Sequence, residues 1–204
     1  MEKENLLLEY IGSWLLALGA NIDAAAATPT PLLTDEQLEE ISLVGFELQA
    51  LGFALLADSQ NELNLESAGN GIASIGMLEI ISSILLPFPE ETDTNLEVSG
   101  NLLASLGAFM IFAEELDKDP RVPGQTLETI GILMQAIGSG VLAIALRLQA
   151  NQEDKEESEQ QQTAEDEEKS ISITNLITWS NWLVAAGTIV ALIGVGIRFS
   201  SETQ

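Results

Sequence analysis

Apolar residues occur along this chain in six blocks of helical length, separated by short breaks. Within each block the apolar positions recur every three or four residues, which is the period of an α-helix, and no block alternates as a strand does. The breaks contain proline, glycine or clusters of polar residues, as turns do. The pattern therefore predicts an all-α fold of about six antiparallel helices. They cover approximately residues 6–22, 35–57, 65–86, 94–115, 125–149 and 171–199.

Two capping boxes mark helix starts in this prediction. Thr34 is followed three residues later by Gln37, and Thr94 by Glu97. In this spacing the threonine side chain accepts from a backbone amide of the first turn, and the later side chain accepts in return from the threonine backbone. We therefore expect one helix to start near Asp35 and another at Thr94.

A loose repeat runs through all six blocks. In the clearest copy, Leu96–Gly107, a second glycine follows Gly100 after seven residues. Residues seven apart differ by only about 20° around a helix axis, so each predicted helix has a narrow stripe of small residues opposite a broad arc of large apolar ones. We predict that the stripes are helix-packing faces. Their glycines are Gly12, Gly19, Gly45, Gly52, Gly69, Gly76, Gly100, Gly107, Gly131, Gly138 and, in a degenerate sixth copy with Ser180, Gly187.

A glutamate precedes the first glycine by three residues in four of the six copies. These residues are Glu9, Glu66, Glu97 and Glu128. The spacing places each of them on the same side of its helix as the glycine stripe.

The glycine stripes favour a membrane helix bundle over a soluble one. In a soluble bundle the large residues would face the core and the glycines water, and an exposed glycine within a helix costs about 1 kcal/mol relative to alanine. In a membrane, small residues let helix backbones approach closely while the large apolar arc meets lipid. A tightly packed soluble bundle with glycine at its crossings stays open as an alternative.

The lengths of the apolar stretches support this interpretation unevenly. Residues 176–197 form an uncharged stretch long enough to cross a bilayer. Trp179 and Trp182 at one end and Arg198 at the other are typical of membrane-interface anchors. Glu47 and Glu79 interrupt the second and third helices, and each has two interpretations: a buried ion site or, as we favour, a solvated flank.

The chain divides into three predicted parts. Residues 1–150 form the five-helix repeat region, and residues 171–204 contain a C-terminal transmembrane helix. Residues 151–170 are strongly acidic and almost free of apolar side chains. Such a stretch buries too little surface to offset its ordering entropy, so a disordered linker is expected there.

Composition excludes several kinds of function. With 32 acidic and 7 basic residues the net charge is −25, which disfavours a nucleic-acid partner. The chain has neither histidine nor cysteine, so thiol nucleophiles, imidazole acid–base catalysis and the usual zinc sites are excluded. We therefore expect no enzymatic activity and no cofactor or metal.

The Gly-x-x-Leu-x-x-Leu-Gly run, seen at Gly100–Gly107, resembles a family of short repetitive Gly-rich helical proteins of bacilli that is uncharacterised. The resemblance implies a bacterial protein associated with the cell membrane or surface, without a known activity.

Three functions are consistent with these patterns. The leading one is a non-enzymatic integral or membrane-associated protein with a structural or membrane-organising role. Its partner would be the lipid bilayer, and its helices would pack through Gly faces within the chain or in a homo-oligomer. The second is a pore former of the holin or bacteriocin kind, with Gln49, Asn101 and Gln135 along a water path. The third is a soluble helical interaction module with a C-terminal anchor.

Overall fold

The computed structural model describes residues 2–60, 62–158 and 164–203, and the all-α prediction is confirmed over these ranges, which contain no strand. Six helices follow one another along the chain. They are α1 (Glu2–Ala26), α2 (Asp35–Asp58), α3 (Leu65–Leu85), α4 (Glu90–Glu115), α5 (Gln125–Ser158) and α6 (Ala164–Glu202).

The helices form a closed ring. Each helix packs against its neighbours in the chain, and α6 also packs against α1. No other pair of helices packs together in the part of the chain that the structure describes. The closest pairs are the antiparallel hairpins α1–α2, α3–α4 and α5–α6. Three hairpins therefore surround a central axis that side chains rather than backbones fill.

We name the two ends of this ring after one residue at each. We call the end that holds the starts of α1, α3 and α5 the Arg198 end. The opposite end, at the loops after α1 and α3, is the Trp179 end. Since the helices alternate in direction, every element contributes to both ends.

The two predicted helix starts have different outcomes. The Thr34–Gln37 capping box is present, with both reciprocal hydrogen bonds, and α2 begins at Asp35. The start at Thr94 is wrong, because α4 begins at Glu90, directly after Pro89, and Thr94 lies inside the helix. Three acidic side chains in the first turn of α4 stabilise its positive end, so the helix starts one turn earlier without a side-chain cap.

Helices α5 and α6 extend into the stretch predicted as a linker. Residues 151–158 belong to α5 and residues 164–170 to α6. Gln152 and Ile173 are both buried near the end of this hairpin, so α5 and α6 stay packed beyond the predicted boundary. Residues 159–163 lie outside the described residues, and disorder there stays a prediction.

The bundle is built with small residues inside and large apolar residues outside. Ala73, Ala136 and Ala185 are completely buried. Leu102, Leu106 and many other large side chains are exposed on the outer surface. Helices α2 to α6 are long and apolar enough to cross a membrane, by length and composition, whereas α1 does not meet that criterion over its described residues.

Candidate functional site

Glycines face glycines where the two helices of a hairpin cross. In α1–α2, Gly12 lies against Gly52 and Gly19 against Gly45. A Cβ atom on Gly19 would lie 2.5 Å from the carbonyl oxygen of Gly45, and one on Gly45 would lie 2.9 Å from that of Gly19. Because these neighbours are backbone atoms, no rotamer change relieves the overlap. The equivalent pairs are Gly69–Gly107 and Gly76–Gly100 in the second hairpin and Gly131–Gly187 in the third.

The degenerate sixth copy changes one crossing. Gly138 meets the carbonyl oxygen of Ser180 and the side chain of Val184 instead of a second glycine. The same hairpin has an additional crossing between Gly124 and Gly194, which the repeat did not predict. Gly124 also has a φ of 87°, a conformation that favours glycine. These positions fix the antiparallel register of α5 and α6.

All eleven glycines predicted as packing residues lie at helix crossings within one chain. In a single copy of the chain, these glycine faces are therefore already covered by other helices of the same chain. A homo-oligomer through Gly faces stays a prediction, and it would need one of these internal crossings to open.

Small polar side chains join one hairpin to the next. Ser74 of α3 donates to the carbonyl oxygen of Ala50 in α2 (3.0 Å), and Ser105 of α4 donates to that of Ala136 in α5 (2.7 Å). Asn21 makes a longer contact of 3.5 Å with the carbonyl oxygen of Ala185 between α1 and α6. Each boundary between hairpins thus has a side-chain hydrogen bond to an alanine carbonyl group, as is typical of helix contacts in membranes.

A buried ionic cluster closes the Arg198 end of the ring. Arg198 of α6 binds Glu128 of α5 at 2.7 Å and also binds Glu9 of α1. Lys118, in the loop after α4, binds Glu66 of α3 at 2.8 Å and Glu115 at 2.5 Å. The four carboxyl side chains are largely buried, and only 11% of the Arg198 side chain is exposed.

The cluster connects the hairpins electrostatically. Burial disfavours the charged form of Lys118, but the attraction of Glu66 and Glu115 outweighs it and raises the pKa of Lys118. Removing one partner of a buried ion pair leaves an uncompensated charge, which is strongly destabilising. Glu9–Arg198 joins the first hairpin to the third. The cluster therefore sets which helices meet where the ring closes.

The repeat in the sequence contains a signal for this cluster. Glu9, Glu66 and Glu128 occupy the same position of the repeat in the first helix of each hairpin. The two cations also share a position, since Lys118 and Arg198 each follow the last repeat glycine of α4 or α6, Gly107 or Gly187, by eleven residues. The fourth repeat glutamate, Glu97, lies at the opposite end, because α4 runs in the opposite direction.

The three predicted interface residues lie at the two ends of the apolar part of α6, residues 176–197, and the two tryptophans are therefore near the middle of the helix. Trp179 is the most exposed tryptophan, at 75%. The Trp182 indole N–H donates to the hydroxyl oxygen of Thr28 at 2.9 Å, in the loop between α1 and α2. Arg198 lies at the other end but does not point freely to an interface, because it is buried between two glutamates.

Glu47 and Glu79 lie in different environments. Glu47 is exposed in the middle of α2. Glu79 accepts a 2.5 Å hydrogen bond from Ser99 of α4. Its partner is a hydroxyl group across the hairpin rather than a basic side chain.

Two cavities lie on the central axis, one at each end. The cavity at the Arg198 end has a volume of about 40 Å³, and the one at the Trp179 end has about 220 Å³. Residues from all six helices line each of them. Gln135 and Asn101, two of the side chains predicted along a water path, line the first and the second cavity respectively.

Comparison with known proteins places these features in one family. Residues 7–190 match a family of unknown function, DUF6944. The chain belongs to DUF6944. The matched region begins in α1 and ends in α6, so it contains all eleven packing glycines and parts of all three hairpins. Gly194 and Arg198 lie beyond its last residue. No curated protein and no solved structure matches the chain. The finer resemblance, to Gly-rich proteins of bacilli, stays a prediction.

Proposed function

We propose that this DUF6944 protein is an integral membrane protein with a structural, membrane-organising role and no enzymatic activity. The observation that carries the proposal is the distribution of side chains over the bundle. Large apolar residues cover most of the outside of the helices, while most polar and charged side chains lie inside the ring or at its ends. Glu47, exposed in the middle of α2, is an exception. A protein folded in water has the opposite arrangement, since contiguous exposed apolar surface is unfavourable there.

The dimensions of the helices support a bilayer location. A helix rises 1.5 Å per residue, so about 20 residues cross a hydrocarbon core approximately 30 Å thick. Helices α2 to α6 each contain a stretch that meets this requirement. Leu102 and Leu106, one turn apart on the outer surface of α4, would then contact acyl chains.

Helix α1 requires its neighbours. It carries Glu9 and Asp23 near its two ends. Inside the bundle Glu9 binds Arg198, and Asp23 accepts a 3.0 Å hydrogen bond from Ser42 of α2. These partners reduce the unfavourable free energy of placing two carboxyl groups in a membrane bundle. We infer that α1 inserts together with α2 and α6 and not alone.

A structural role without catalysis follows from the available chemistry. The sequence lacks histidine and cysteine. The ion-paired carboxylates Glu9, Glu66, Glu115 and Glu128 join helices to one another, which accounts for their burial without a catalytic role. The same acidic composition makes a nucleic-acid partner unfavourable.

Membrane fractionation tests the proposal directly. The full chain is expressed, and the membrane fraction is washed with alkaline carbonate, which removes peripheral proteins. We expect the chain to stay in the pellet. Release into the supernatant would reject the integral location.

Fluorescence quenching then distinguishes a fully inserted bundle from a soluble bundle tethered by α6. The three natural tryptophans are replaced by phenylalanine, and Leu106→Trp provides a single probe on the outside of α4. Lipids brominated on their acyl chains should quench this probe. A matched probe at Leu32, in the exposed loop after α1, should not be quenched. Equal, weak quenching of both probes would favour the tethered soluble module.

A further inference from the structure

We infer that the bundle axis is a closed path for small cations, blocked at its centre by an apolar plug. The inference rests on the proposed membrane location. Its basis is the placement of the two axial cavities at opposite ends of one ring of six helices.

Both cavities are large enough and polar enough to hold water. One water molecule needs approximately 10–15 Å³ of accessible volume and two to four polar partners. The 40 Å³ cavity at the Arg198 end offers Asn70, Gln135 and Thr188, and the 220 Å³ cavity offers Ser42, Asn101 and Asn181. Each cavity can therefore hold water.

An apolar cluster separates the cavities. Leu16 and Phe53 line the cavity at the Arg198 end, and Ile80 and Phe46 line the other. Leu16, Phe53 and Ile80 are members of one contiguous core cluster, and Phe46 packs against it. Apolar constrictions of this kind close channels by excluding water. We call this cluster the plug.

A buried amide group lies on α2 between the two phenylalanines of the plug. Gln49 is only 4% exposed, and its Nε2 has no hydrogen-bond partner among the described residues. A buried donor without a partner is unfavourable in the closed state. A water molecule that reached the α1–α2 crossing, where the Gln49 side chain lies against Gly19, would supply the missing partner.

The charge of the lining favours cations. Glu9, Glu66 and Glu128 line one cavity. Asp23, Glu39 and Glu97 line the other, and neither cavity has a basic lining residue among the described residues. Arg198 and Lys118 neutralise part of this charge at one end only. Acidic linings of this kind select cations over anions.

Cysteine accessibility tests the closed state, and the cysteine-free chain is a clean background. Asn101→Cys places a thiol at the larger cavity, and its neighbour Leu102→Cys places one on the outer surface. The full-length variants are reconstituted in nanodiscs and treated with a cationic or an anionic methanethiosulfonate reagent. We expect Asn101→Cys to react at least tenfold faster with the cationic reagent, and Leu102→Cys to stay unmodified. Ala73 is a completely buried member of the plug cluster, so Ala73→Cys should also stay unmodified.

Conductance tests the plug. Phe53→Ala and Phe46→Ala shorten it from its two sides, and Phe109→Ala, on the outer surface, is the matched control. In planar bilayers with a potassium chloride gradient, we expect at least a tenfold larger current from either plug variant than from the wild type, with a reversal potential close to that of potassium. The control should resemble the wild type.

Three results would overturn the inference: an unreactive Asn101→Cys in a membrane-embedded chain, an anion-selective current, or folded plug variants that stay closed. If the plug variants fail to fold, the cysteine experiment still decides. Release of the chain by carbonate would instead refute the membrane location, so the two failures are distinguishable.

Discussion

Two glycines of the same helix provide the sharpest test of the packing. Gly69 and Gly71 are two residues apart in α3, yet a Cβ on Gly69 would lie 2.5 Å from the carbonyl oxygen of Gly107, whereas a Cβ on Gly71 has no neighbour within 4 Å. Alanine at the two positions therefore differs only in its contact with α4.

The destabilisation expected from Gly69→Ala follows from the geometry of the crossing. Ordinary contact begins at 3.4 Å, so Gly69→Ala requires α4 to move away by 0.9 Å at this crossing. A radial gap of about 0.5–1 Å forfeits roughly a quarter to a half of the dispersion energy of each affected contact. Overpacking of this kind costs about 1–3 kcal/mol. The helix propensity of alanine offsets about 1 kcal/mol of it at Gly69 and stabilises Gly71→Ala by a similar amount.

The assay is unfolding of both full-length variants in detergent, followed by circular dichroism. Helix propensity contributes equally to the two variants, so the difference between their free energies of unfolding isolates the crossing. We expect Gly71→Ala to be more stable than Gly69→Ala by about 1–3 kcal/mol. If the two variants unfold alike, close approach at the glycine crossings does not stabilise the bundle.

Three further predictions use the same unfolding assay. Arg198→Met should lower the free energy of unfolding by about 3–5 kcal/mol, because two buried carboxylates lose their cation. The control is Arg121→Met, which removes an exposed ion pair and should leave the free energy of unfolding unchanged. Equal effects of the two substitutions would count against a stabilising role of the buried ionic cluster. Thr34→Ala should lower the free energy of unfolding by about 1 kcal/mol, because α2 loses its N-terminal cap. An unchanged free energy of unfolding would show that the cap is dispensable. Gly107→Leu should be more damaging than Gly138→Leu, because a Cβ at 107 would overlap the carbonyl oxygen of Gly69, whereas the backbone atoms nearest to a Cβ at 138 are 3.0 Å away or more; the reverse order would contradict the geometry.

The inverted distribution of residues explains why glycine is used so often. In a bilayer, the apolar outer surface contributes little to association between helices, because lipid is as apolar as leucine. Stability then depends on close packing and on polar contacts inside the ring. The glycine crossings provide the close packing. Ser74, Ser105 and the buried ionic cluster around Arg198 provide the polar contacts.

Local sequence features are sufficient to predict the helices. Helical periodicity and turn residues predicted six elements, and Thr34 with Gln37 located the start of α2 correctly. These features depend on interactions within a few residues of one another. Where a local pattern was ambiguous the prediction failed, as at Thr94, because the acidic first turn after Pro89 starts α4 earlier.

The way in which the helices meet is visible only in the folded chain. The repeat singled out the glycines but could not show that Gly69 faces Gly107, since many registers of two striped helices are compatible with the same spacing. It could not show that Arg198 lies between Glu9 and Glu128, which are distant in sequence and meet only when the ring closes. The axial cavities likewise have no local signal, because each is lined by all six helices. Contacts between distant residues depend on the arrangement of whole helices, and that arrangement is a property of the assembled ring.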